Sequence, residues 1–209
     1  MSDLKKLESI VKEIETELDE KEEIREQSIK LSRSITRLSG SAIRMMQQSE
    51  EARRLLDSAK REAVKLTRML GNHAEISYAG YVENALQELS EACIVSAVLR
   101  GEPMPMPRSI GATSTAYLLG MGDAVGEFRR FALLALTKGD VKRADHYLRV
   151  MEDLFAALMR FDYPHAIVAI RRKQDVARSL IEKTRGEILV SSRGKELERK
   201  IERLERKLG

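Results

Sequence analysis

The chain has no Trp, a single Cys, only four Pro in 209 residues, and few aromatics, 4% in all. Cys93 alone cannot close an intrachain disulfide, so a disulfide-stapled fold is excluded, and the thiol reads as a small core residue in the run ACIVSAVL. The sparse Pro and aromatics argue against a sheet protein, whose strands favour aromatic and β-branched residues. No apolar run reaches the roughly 18–20 residues of a membrane span. The N-terminus, MSDLKKLESIVKEIETELDE, is too acidic for a signal peptide. The Walker loop, the GxGxxG fingerprint, the GxSxG elbow, HExxH and CxxC are all absent, which removes the commonest nucleotide, hydrolase and zinc chemistries. None of His73, His146 and His165 belongs to a Glu-x-x-His unit, so a ferritin-like di-iron site is disfavoured.

What is present is charge, 33% of residues against 43% hydrophobic, in the proportions of long amphipathic helices. The length suits one core, and the expected fold is an all-α, single-domain bundle of six or seven long antiparallel helices over residues 1–209. The net charge of +4 is unevenly spread: from His165 to Gly209, 13 basic residues face 7 acidic ones, which suits a polyanionic partner.

Taken in order, residues 3–48 carry Ile24, Leu31, Ile35, Leu38, Ala42 and Met45 near heptad spacing, with Lys30, Arg33, Arg37 and Arg44 on another flank. That flank is either a solvated face or a strip of phosphate contacts. A second helix is expected from 50 to 70, capped by Gly71-Asn72, and a third from 74 to 99. GEPMPMPR then breaks the chain, because proline lacks the backbone donor a helix needs. A fourth helix follows from 115 to 137 and tolerates Gly120, Gly122 and Gly126, which implies close approach of another backbone. Gly139-Asp140 ends it and caps the next, 141–160; the following helix starts after Pro164 and runs from 165 to 190. Beyond SSRG, residues 190–209 form a Leu-rich tail with Leu197, Ile201, Leu204 and Leu208 at coiled-coil spacing.

Two acidic pairs stand out. Asp123 and Glu127 lie one turn apart in the apolar AYLLGMGDAVGEFRR, and Glu88 and Glu91 lie on one face in LQELSEACIV. Like charges at such spacing repel and need a cation opposite them, either an arginine such as Arg130 or a bound metal. The pairs flank the proline loop, whose return can pack them face to face. Four carboxylates form an all-oxygen set suited to Mg2+ or Mn2+, ions that can activate water and neutralise a scissile phosphate.

EEIREQSIKLSRSIT, LQELSEA, YLLGMGDAVGEFRR and Gly139-Asp140 together resemble segments of the translin and Trax family over residues 22–189. The resemblance implies an all-helical subunit of an RNA-cleaving octameric shell. Within it, Glu88, Glu91, Asp123 and Glu127 correspond to the catalytic and metal-binding acids of the Trax branch, which the translin branch lacks. The loop between the pairs is short, as in archaeal members that assemble as homo-oligomers. The implied activity is a Mg2+-dependent endoribonuclease acting on single-stranded RNA or one strand of a short duplex, in the cytoplasm and without a membrane. Lys30, Arg33, Arg37 and Arg130 are the candidate substrate contacts. The alternative is a non-catalytic oligomer of translin type that binds single-stranded RNA or DNA.

Overall fold

The computed structural model describes residues 2–48, 51–71 and 73–208. Seven α-helices account for most of them: α1 (Ser2–Gln47), α2 (Arg53–Met69), the single turn α3 (Ala74–Ser77), α4 (Gly80–Arg100), α5 (Ser114–Thr137), α6 (Val141–Leu158) and α7 (Ile170–Leu208). The all-helical expectation holds. None of the described helices is long and apolar enough to cross a membrane.

Local chemistry sets the boundaries. Thr113 caps α5 by accepting from the Ala116 amide at 3.0 Å, and Asp140 caps α6 through the Arg143 amide at the same distance. The expected third helix is split. Its first turn, α3, tucks Ile76 into the core, Ser77 bonds back to the carbonyls of Leu70 and His73, and Ala79 is extended before α4 begins. The last helix departs from expectation at both ends. Residues after Pro164 form turns, so α7 starts at Ile170, and it runs through SSRG without a break. An isolated Gly costs a helix only about 1 kcal/mol, which the 39-residue helix absorbs at Gly194. Likewise α1 passes Gly40 unbroken. The proposed cap at Gly71-Asn72 is described only in part, since Asn72 lies outside the described residues; the helix closes on Leu70, whose amide bonds to Leu66 O.

Helix directions follow from the connections. The short turn 138–140 makes α5 and α6 antiparallel, and the return over residues 159–169 makes α7 antiparallel to α6: Arg185 reaches Glu152 while Gln174 reaches Leu158. The proline segment is longer and acts as a crossover. It carries a one-turn 3-10 helix, Pro107–Ile110, and is pinned by the buried Ile110. The chain thereby returns along the length of α4, so α4 and α5 run side by side in the same direction, Thr113 meeting Glu83 near their starts. The seam of α1 packs as expected: Ile35 and Ala42 are fully buried, and Ile24, Leu31, Leu38 and Met45 pack against the core. Phe128, Leu86, Leu89, Ile94, Met151 and Leu158 fill the centre. Each such side chain contributes roughly 1.5–3 kcal/mol by leaving water.

The approach of α5 to α4 is limited at Gly120. A Cβ there would lie 2.5 Å from the Gln87 carbonyl oxygen and 2.9 Å from the Glu91 amide nitrogen. Of the three glycines in α5, this is the one against which a neighbouring backbone packs; Gly122 meets the Lys173 side chain, and Gly126 has room. Gly120→Ala is therefore expected to destabilise the fold by about 1–3 kcal/mol, as overpacking does, because the obstructing atoms are backbone. Chemical denaturation checks this, with Gly126→Ala as the control that changes little.

Candidate functional site: an acid-lined cleft between three helices

Gly120 holds α5 against the turn of α4 that carries Gln87 and Glu91, and this brings the two acidic pairs together. Glu88 and Glu91 from α4 and Asp123 and Glu127 from α5 line one open cleft of about 700 Å3. α7 closes its far side with Lys173 and Leu180, and Arg130 stands at its rim. The return of the proline loop thus juxtaposes the pairs, as its placement between them suggested.

The four carboxylates are unequally supported. Asp123 accepts from Gln87 Nε2 at 2.5 Å and pairs with the Lys173 ammonium, which Gly122 admits by lacking a side chain. Glu127 is 7% exposed, accepts from Gln47 Nε2 at 2.6 Å, and pairs with Arg130 at 3.1 Å. Arg130 is itself largely exposed, so that pair adds little stability. Among the described residues, nothing donates a hydrogen bond to Glu88 or Glu91. Burial, reinforced by the charges of Asp123, Glu127 and Glu88, pushes the Glu91 carboxyl up to about 8, against the opposing pull of Lys173. Burial and then Asp123 raise Glu88 as well.

Among the described residues, no three His, Cys, Asp or Glu side chains stand close enough to grip a metal ion as they are. The reason is visible in the hydrogen bonds: the oxygens of Asp123 and Glu127 are turned onto protein donors. The donor set itself suits a hard divalent cation, being four carboxylates with one cationic side chain among them. Burial is the main cause of the raised Glu91, and the like charges that add to it are what such a cation offsets.

Of the candidate substrate contacts, Arg130 lies in this cleft. Lys30, Arg33 and Arg37 do not line it. Lys30 pairs with Glu26, while Arg33 and Arg37 border a separate hollow of about 510 Å3 with Tyr81 and Asn84, one turn back along the face of α4 that bears Glu88. Gln47, Gln87 and Lys173 were not foreseen. Gln87 adjoins Glu88 in sequence, but Gln47 is 80 residues from Glu127 and Lys173 is 50 from Asp123, so only folding joins them. Cys93 is a buried core residue, its thiol pushed up to about 12 by desolvation.

An all-helical subunit with an acid-lined cleft between neighbouring helices is the class that this architecture defines. Residues 23–185 match the model of the translin family, and the chain belongs to that family. It is 30% identical over 189 residues to an uncharacterized protein of Methanocaldococcus jannaschii, covering 90% of this chain and 85% of that one. It is also similar to AfC3PO, solved alone (33% identity, TM-score 0.79) and in complex with duplex RNA (31%, 0.78), each covering 88% of this chain and 97% of the other. A likeness to apo-NeC3PO, at 22% identity, 87% and 96% coverage and a TM-score of 0.79, concerns the fold alone.

Glu91 gives the site a pH signature. Its folded carboxyl titrates near 8, against an ordinary value of 4.5, so the folded state holds the extra proton between those limits. The associated stability is complete below pH 4.5, declines through the window, and is gone above pH 8. In EDTA, Glu91→Gln is expected to match the wild type near pH 4.5 and to melt on the order of 10 °C higher at pH 8.5. Equal differences at both pH values, read by thermal denaturation, would contradict this origin of the shift.

Proposed function

We propose that this chain is a subunit of the catalytic, Trax-like kind: a Mg2+-dependent endoribonuclease that cleaves single-stranded RNA or one strand of a short duplex. The observation that carries the reading is the convergence of two carboxylate pairs from α4 and α5 on one open cleft, with too little protein cation to balance them. The AfC3PO structure holds duplex RNA and is 31% identical to this chain, which supports RNA as the substrate class. By the same family pattern, the active form is a cytoplasmic homo-oligomer, an octamer.

Glu88, Glu91, Asp123 and Glu127 would hold Mg2+, or Mn2+ in its place, once Asp123 and Glu127 release their present donors. When bound, the ion supplies charge neutralisation at the scissile phosphodiester and lowers the pKa of a water molecule. Glu91, whose proton is held by burial and then by the neighbouring carboxylates, would give it up to serve as a ligand, since a nearby positive charge favours the ionised form. Hydrolysis adds hydroxyl to phosphorus and a proton to the leaving oxygen, and a carboxylate of the cleft takes the proton of the attacking water. Until an ion enters, Gln47 and Arg130 hold Glu127 in the cleft and Gln87 holds Asp123. Lys173, released from Asp123, offers its ammonium to the phosphate backbone.

A second reading, a non-catalytic RNA- or DNA-binding oligomer of translin type, is favoured by one observation. Asp123 and Glu127 are already satisfied by Lys173, Gln87, Gln47 and Arg130 without a metal. Cleavage of labelled single-stranded RNA and of a short duplex, in Mg2+ and in EDTA, separates the two. The wild type is expected to cleave only with metal, and a Glu91→Ala, Asp123→Ala variant that still assembles to lose at least about 100-fold in rate. Cleavage no faster than the variant, with RNA retained equally by both, would decide for the binding oligomer.

A further inference from the structure

Among the described residues, two apolar stripes on the helix ends have no partner within the subunit. On α1, before its contact with the body at Lys21 and Glu75, residues Leu4, Leu7, Val11, Ile14 and Leu18 recur at alternating three- and four-residue steps, and all are exposed, Leu4 by 68% and Leu18 by 58%. On α7, beyond Lys195, which reaches the Gly139 carbonyl, Leu197, Ile201 and Leu204 repeat the pattern and are 46–59% exposed. A strict three-four stripe on a free helix is a coiled-coil seam. Neither stripe falls within the residues that define the family match, 23–185.

The stripes differ in charge. Residues 3–20 hold seven acidic residues against three basic, and residues 193–208 hold seven basic against four acidic. Glu8 and Glu15 follow one edge of the α1 seam and Glu17 the other, so two α1 segments would oppose like charges along both edges. The α7 seam has Arg193 and Lys200 along one edge, with Glu198 along the other. One edge of α7 is therefore complementary to α1, and one orientation of the pair is selected.

Geometry places these seams at opposite ends. Gln47 meets Glu127 on α5 while Ser28 meets Tyr81 near the start of α4, so α1 runs in the same direction as α4 and α5. Lys173 meets Asp123 and Arg129 meets Glu187, so α7 runs that way too. The free start of α1 then leaves one end of the bundle, and the free end of α7 leaves the other. Two copies stacked in the same orientation bring the acidic start of α1 alongside the basic tail of α7.

We infer that this chain associates head to tail through a parallel two-helix coiled coil, in which residues 4–18 of α1 in one copy pair with residues 193–204 of α7 in the next. Such a heterologous contact is used once by each end of every subunit, and it closes into a ring when the rotation per step allows. Two heptads form a weak pair alone, so its strength comes from repetition around an assembly.

The test is the mass of the RNA-free protein by light scattering after size exclusion, a readout independent of nuclease activity. One variant reverses the complementary edge of α1 (Glu8→Lys, Glu15→Lys), and the other reverses α7 (Arg193→Glu, Lys200→Glu). Each alone is expected to raise the concentration for half-assembly roughly tenfold while keeping wild-type helicity. An equimolar mixture of the two is expected to recover the wild-type mass, since each reversed segment then finds its complement. Unchanged mass in either variant alone, or no recovery in the mixture, overturns the pairing.

Discussion

The packing of α5 on α4 at Gly120 is the constraint on which the site depends. Because no Cβ intervenes, the α5 backbone comes against the turn of α4 that holds Gln87 and Glu91. That proximity places Asp123 and Glu127 opposite Glu88 and Glu91. The crossover from Gly101 to Thr113 makes the arrangement topologically possible, since it returns the chain to the start of α4 before α5 begins.

Electrostatics then distinguishes the four acids. Asp123 and Glu127 sit where Lys173 of α7, Gln47 of α1, Gln87 of α4 and Arg130 of their own helix supply donors, whereas among the described residues none donates to Glu88 or Glu91. A buried carboxylate among like charges holds its proton, which is why Glu91 titrates near 8. This unequal support is compatible with a cation site only if the protein donors yield, and it marks Lys173 as the group in direct competition with any ion. Charge that destabilises the cleft is charge available to a ligand.

The two ends of the molecule are organised differently from its middle. Between residues 23 and 185, most apolar positions are buried against neighbouring helices, and those that are exposed, such as Tyr78 and Ile167, form no continuous seam. Outside those limits the long helices α1 and α7 continue with exposed apolar seams and opposite charge. The body thus carries the family's architecture, and the protruding ends carry features suited to association between copies.

Much of this was legible in the chain. The all-helical class, the cap at Asp140, the break at the proline segment and the two acidic pairs all follow from local patterns, because helix periodicity and turn chemistry are written within a few residues. The split between α3 and α4, the late start of α7 and its passage through SSRG were not, since Ile76 docking and the persistence of a long helix outweigh local preference. Within the cleft, Gln47 and Lys173 lie too far from their partners in sequence for any spacing to reveal them. Sequence alone determined which side chains share a helical face; the tertiary fold decided which faces meet, which acids receive a cation, and hence which carboxylate keeps its proton. The physical reason is that burial and Coulomb interaction depend on distances that only the folded chain fixes.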